Sequence, residues 1–281
     1  MDKAILIVDK IVKKYPEFLL DKVSFELQEG TITGFIGKNG AGKSTTLKAI
    51  MNLIKLDAGC IRLNLAKCNN IYPIGYLGME KGIYPDESLE NIVNFLRKAW
   101  QNLWNEEEFR YYAKTIFGLN TRQRMKELST GMIIKFLLSV ELAKNPQLLL
   151  LDEPTSGLDP IAREEILNIL KDLVDKRKIT VLFSSHITED ILKIADKVIF
   201  MNNGKIVLQD YKEAVIGRYV KIKKQDMEKL PDNLSSKLSM YGVANRDYII
   251  WDNRIQQINN SFIEKADLDE ILILLGGKKY V

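Results

Sequence analysis

The stretch Gly37-Lys38-Asn39-Gly40-Ala41-Gly42-Lys43-Ser44-Thr45 decides the fold of this 281-residue chain. It fits Gly-x-x-x-x-Gly-Lys-[Ser/Thr], a loop whose glycines allow positive φ and turn successive backbone N–H groups toward phosphate oxygens. Thr31-Ile32-Thr33-Gly34-Phe35-Ile36 before it reads as a strand, and Ser44–Asn52 reads as a helix. In that order the helix N-terminus adds its partial positive charge behind the same phosphates. A nucleoside triphosphate is therefore the expected ligand, with Lys43 on its β- and γ-phosphates and the Ser44 hydroxyl on Mg2+.

Outward from the loop, residues 4–8 and 22–27 are apolar or alternating segments either side of a turn at Tyr15-Pro16, which predicts antiparallel strands. Leu148–Leu151 and Thr180–Phe183 are short apolar runs, and between them Ile166, Leu167, Leu170, Leu173 and Val174 recur at helical spacing. That is a βαβ pattern, hence an α/β fold. Val198–Met201 and Lys205–Leu208 flank Asn202-Asn203-Gly204, a hairpin signal. Residues 86–145 carry long helical patterns, Ser88–Trp100 and Glu106–Phe117, and read as a helical insertion. From about residue 211 the pattern becomes mixed, with a basic stretch Arg218–Lys224 and an apolar helix candidate at Leu268–Leu275, so residues 211–281 read as a C-terminal extension.

The second cluster of chemistry is Asp152-Glu153, at the end of the Leu148–Leu151 run, where ligands of open α/β sheets sit. Neighbours on a strand point to opposite faces, which divides the work. Asp152 suits the Mg2+ shell, and Glu153 suits a base for the attacking water. A pair of helix caps before Pro154 is the alternative. His186, the sole histidine, follows Phe183-Ser184-Ser185 at the next strand edge and is placed to donate to the γ-phosphate, with a structural role as the alternative.

Composition restricts the rest. Lys and Arg number 41 against 37 Asp and Glu, a net charge of +4, which gives no reason to expect a nucleic-acid partner. No apolar run approaches a membrane span and Met1-Asp2-Lys3 has no signal-peptide layout, so a cytoplasmic chain is expected. Cys60 and Cys68 lack metal-ligand spacing and read as reduced packing residues.

Taken in order, these residues resemble the ATPase subunit of an ATP-binding-cassette (ABC) transporter over residues 1–210. Gly37–Thr45 resembles its Walker A loop and Leu128-Ser129-Thr130-Gly131-Met132 its signature. Leu148–Glu153 resembles Walker B, Ser156-Gly157-Leu158-Asp159 the D-loop, and His186 the switch histidine. The resemblance implies a P-loop NTPase cassette with a mixed sheet core, an antiparallel β subdomain, a helical subdomain at 86–145, and the small C-terminal extension. It also implies ATP and Mg2+, Tyr15 stacked on adenine, and Ser129, Gly131 and Asp159 serving the nucleotide of an opposed chain. Two chains, a homodimer by preference, then close head to tail around two ATP molecules.

Thr130 and Met132 depart from the family's commonest signature and resemble exporters of drugs, peptides and polysaccharides. The resemblance thus implies an ATPase that powers export through separate integral membrane permease subunits, held at the inner face of the membrane. A soluble cassette ATPase of cofactor assembly is the alternative, and a non-hydrolysing nucleotide sensor a third. The glutamine usual after the third strand is missing, with Met79 near its place and Glu80 next to it.

Overall fold

The computed structural model describes residues 3–66, 73–78, 84–230, 243–244, 248–253 and 262–275. Cys68, Met79 and Glu80, and the sequence readings attached to them, lie outside the described residues. Strands β1 (Ala4–Tyr15) and β2 (Phe18–Gln28) form an antiparallel hairpin in which Tyr15 faces Phe18 across the turn. Both are longer than their apolar segments, because Ile11 and Leu20 extend the buried face. Strand β3 (Ile32–Ile36) leads into the phosphate loop and helix α1 (Lys43–Ile50). Strand β4 (Ala58–Leu63), with no residue buried, carries little pattern; it adds to β1, giving the order β2-β1-β4.

Next come β5 (Ile74–Leu77) and the helical region: α2 (Leu89–Trp100), α3 (Glu106–Arg110) and α4 (Thr130–Leu142). Caps set the starts, with Ser88 accepting from Asn91 N, Asn105 from Glu107 N and Glu108 N, and Ser129 from Met132 N. The helical pattern over Glu106–Phe117 is not one α-helix. It widens to a π-helix over Tyr111–Ile116, where Arg177 bonds both Glu108 (2.7 Å) and the Tyr112 hydroxyl (3.2 Å). This region has its own core, with Leu89, Val93, Phe109, Met125 and Phe136.

The βαβ unit is β6 (Leu148–Asp152), α5 (Pro160–Arg177) and β7 (Thr180–Ser185), followed by α6 (Thr188–Ile194) and the hairpin β8 (Lys197–Asn202) and β9 (Lys205–Tyr211). Asn203 (φ 46°) and Gly204 (φ 74°) make its turn. The main sheet runs β5-β6-β7-β3-β8-β9, with only β9 antiparallel. Period-two alternation divides its core. Leu149, Leu151, Val181 and Phe183 join Ile166, Leu170 and Ile191 on one face. Leu148, Leu150, Leu182 and Phe35 join Leu47 of α1 and the antiparallel sheet on the other. Burial on both faces is why these strands read as unbroken apolar runs.

The C-terminal residues add α7 (Lys212–Arg218), β10 (Tyr219–Lys223), β11 (Val243–Ala244), β12 (Tyr248–Asp252), β13 (Ile263–Lys265) and α8 (Leu268–Leu275). The strands form a separate sheet, β11-β12-β10-β13. Two of the four cations in its basic stretch are paired, Arg218 Nε bonding Asp252 at 2.6 Å and Lys221 Nζ bonding Glu270 at 2.8 Å. Ala266, Leu268 and Ile271 are buried in the main core, so the last helix is packed onto the cassette instead of standing in solvent.

Candidate nucleotide site

The phosphate loop requires its glycines for stated reasons. Gly42 sits at φ 110°, and a Cβ there would lie 2.8 Å from Phe18 Cζ. A Cβ on Gly37 would lie 2.5 Å from the Met201 carbonyl oxygen. Residues 38–45 line an open groove of about 900 Å3 together with Glu17, Phe18, Glu153, Ser156 and His186. The groove therefore brings Lys38, Asn39, Gly40, Ala41, Gly42, Lys43, Ser44 and Thr45 to the same place as Glu153 and His186.

Lys43 is buried, and its ammonium donates to the Gly37 carbonyl at 2.6 Å. It also lies 3.3 Å from Glu153 Oε1. The other carboxylate oxygen, Oε2, lies 2.6 Å from His186 Nδ1. Glu153 is thus held between a cation and an imidazole at the sheet edge, 7% exposed. Its φ is 51°, a left-handed conformation that costs a non-glycine residue on the order of 1 kcal/mol. Two bonds hold it there: Glu153 N donates to Ser184 Oγ (2.9 Å) and to Ser184 O (3.2 Å).

Ser184 also donates to Asp152 Oδ1 at 2.7 Å, so one buried hydroxyl ties the Asp152 carboxylate to the backbone of Glu153. Sequence reasoning missed it, although a serine ending an apolar strand is the signal that could have found it. Asp152 and Glu153 face different spaces, the left-handed backbone at Glu153 just past the end of β6 setting its direction. Asp152 lines a cavity of about 650 Å3 shared with Ser44, whereas Glu153 lines the nucleotide groove. Among the described residues no group of three His, Cys, Asp or Glu could hold a metal ion. Ser44 and Asp152 nonetheless fit Mg2+, being hard oxygen donors in one cavity that leave the remaining positions to phosphate and water.

Tyr15 stands outside the groove lining. Its half-exposed ring is 6.5 Å from that of Phe18, which does line the groove and was not singled out from sequence. Ser129, Gly131 and Asp159 form a second patch that does not line the groove. Ser129 caps α4, Asp159 caps α5 through Ile161 N and Ala162 N (3.0 Å each), and a Cβ on Gly131 would lie 3.1 Å from Ala162 Cβ. The Ala162 N–H bond, ahead of that from Ile161, holds the Asp159 carboxyl below the ordinary aspartate range.

A strand, a glycine loop and a helix over buried Lys43, with acidic residues at the next strand edge, define a P-loop nucleotide cassette. A family model described as ABC transporter matches residues 20–156. The chain is similar to an uncharacterised ABC transporter ATP-binding protein of Methanocaldococcus jannaschii, at 29% identity over 96% of this chain and 52% of that one. It spans about half of that relative's length. It is also similar to a thiamine import ATP-binding protein of Photobacterium profundum, at 35% identity over 69% of this chain and 85% of that one. Among solved structures, a nucleotide-free ATP-binding cassette from an ABC transporter superposes with a TM-score of 0.64 and 26% identity, over 76% of this chain and 94% of that one. The chain belongs to the ABC transporter ATP-binding family, whose members are ATPases coupled to transport. Among the described residues no helix is long and apolar enough to cross a membrane.

Proposed function

We propose that two copies of this chain close head to tail and hydrolyse ATP at their interface, driving a substrate outward through separate integral membrane subunits. The observation that carries the hydrolytic role is Glu153, buried between Lys43 and His186 at the lip of the phosphate groove. In this reading Glu153 orients and takes a proton from the attacking water, and His186, which holds the Glu153 carboxylate before nucleotide binds, turns its N–H toward the γ-phosphate. Lys43 moves its charge from Glu153 to the phosphates, with the backbone N–H groups of residues 40–45 around them and Tyr15 stacked on the base. Ser44 and Asp152 would hold Mg2+, which supplies charge neutralisation to the phosphates.

One chain supplies only half of such a site. Ser129, Gly131 and Asp159 sit on their own patch, and the capped start of α4 offers unsatisfied N–H groups to a phosphate carried by the opposite copy. Because both half-sites have their residues, a homodimer is the simpler assembly. The cavity beside Asp152 supports a membrane partner: Leu53 and Tyr84 on its rim are 59% and 50% exposed, an apolar seat for a short helix from a permease. Such a partner would hold the chain at the inner face of the membrane.

Export rests on the resemblance of Leu128-Ser129-Thr130-Gly131-Met132 to exporter signatures. Import is the second reading, favoured by the thiamine import relative. Affinity purification from solubilised membranes is expected to recover an integral membrane protein; recovery of soluble partners alone would sink the transport role. Direction of substrate movement in vesicles carrying that complex separates export from import.

A further inference from the structure

Helix α8 lies directly behind the nucleotide groove. A cavity of about 220 Å3 is bounded on one side by Gly37, Lys38 and His186 and on the other by Asp269, Leu272 and Ile273 of α8. Lys38 and His186 also line the nucleotide groove, so they form the partition between the two spaces. The helix is firmly placed. Asp267 and Glu270 cap it reciprocally at 2.8 and 2.9 Å, Glu270 bonds Lys221 of β10, and Leu268 and Ile271 enter the main core beside Ile191 and Ile194 of α6. Helix α6 packs on α8 and begins two residues after His186.

The His186 side chain is 45% exposed and, toward Glu153, is held by one ring nitrogen. A single hydrogen bond does not fix an imidazole's tilt; the surface behind it must. We propose that α8 is a positioning element of the nucleotide site, with Leu272 and Ile273 closing off the small space behind His186 so that its ring stays on Glu153. The C-terminal subdomain then sets the hydrolytic rate from outside the groove, and anything that displaces it lowers turnover without abolishing nucleotide binding. This inference rests on the reading of Glu153 and His186 as the hydrolytic pair.

His186 is the sole histidine, so its imidazole C–H resonance in the full-length protein is an unambiguous probe. Leu272→Ala and Ile273→Ala are expected to shift that resonance and to lower kcat by roughly tenfold while KM for ATP changes by less than about twofold. Leu272→Met, which refills the volume, should restore both, and the mild Ile273→Val should move the resonance in the same direction should the alanine variants fail to fold. Wild-type resonance and kcat in these variants, whatever their thermal stability, would overturn the proposal. Glu153→Gln run in parallel separates the two readings. Native hydrolysis in that variant brings down the hydrolytic pair and this proposal's kinetic half with it, whereas its loss beside unaffected α8 variants removes only the role of α8.

Discussion

His186 Nδ1 lies 2.6 Å from Glu153 Oε2, while Lys43 holds the opposite oxygen of the same carboxylate at 3.3 Å. An acid so placed has one oxygen for each partner, and water activation requires it to be ionised and free of the lysine. Glu153→Gln keeps the shape and removes the base. Hydrolysis is expected to fall by at least about a hundredfold, with ATP-dependent dimers accumulating on size-exclusion chromatography; a variant that hydrolyses at the native rate would remove Glu153 from its role.

Lys43→Ala acts earlier. It deletes the ammonium expected on the phosphates and leaves buried Glu153 without its cation. A loss of ATP affinity of roughly tenfold or more is expected from the lost charge-assisted contacts, measured with a fluorescent nucleotide. Affinity equal to that of the wild type would count against the phosphate cradle.

Ser184→Ala tests the link between the Asp152 carboxylate and the Glu153 backbone. The hydroxyl is fully buried, donates to Asp152 and accepts from Glu153 N. Its removal should cost about 1–3 kcal/mol in urea unfolding by leaving a buried partner unmet. It should also lower hydrolysis, because Asp152 loses its hydroxyl donor and the left-handed Glu153 keeps only the bond to Ser184 O. A variant as stable and as active as the wild type would show that this hydroxyl does not hold Asp152 and the Glu153 backbone in place.

Asp159 provides the pH test. Two backbone N–H bonds favour its ionised form, so its folded pKa lies below the unfolded one. The cap's contribution is therefore present above the ordinary aspartate value near pH 4 and is lost as pH falls through the lowered folded value. Asp159→Asn keeps an acceptor for Ile161 N and Ala162 N but does not titrate. Its urea midpoint should fall less than that of the wild type between about pH 5 and pH 3, and parallel curves would contradict the assignment.

The cassette was legible in the sequence where local pattern and tertiary role coincide. Leu148–Leu151 reads as a strand because both of its faces are buried, and Ile166, Leu170 and Leu173 repeat on the face of α5 that meets it. Gly37–Thr45, Glu153 and His186 stand out in the sequence because spacing or position at a strand edge marks them, and residues 38–45 of the loop line one groove with the other two. What was hidden depends on distant partners. Ser184 matters through Asp152, 32 residues away. The π-helical segment at Tyr111–Ile116 answers to Arg177, and β4 has no buried residue to betray it. The docking of α8 behind His186 joins segments more than 80 residues apart, which no local periodicity reports.

The central claim is that a working site needs two chains, and mixing two inactive variants tests it most directly. Glu153→Gln lacks the base but retains Ser129 and Gly131, whereas Gly131→Asp blocks the α4 start but retains Glu153. In a head-to-tail pair of one of each, one site is doubly damaged and the other is whole. ATPase activity that is absent from either variant alone and reappears on mixing is the predicted result. A mixture no more active than its components would contradict the account.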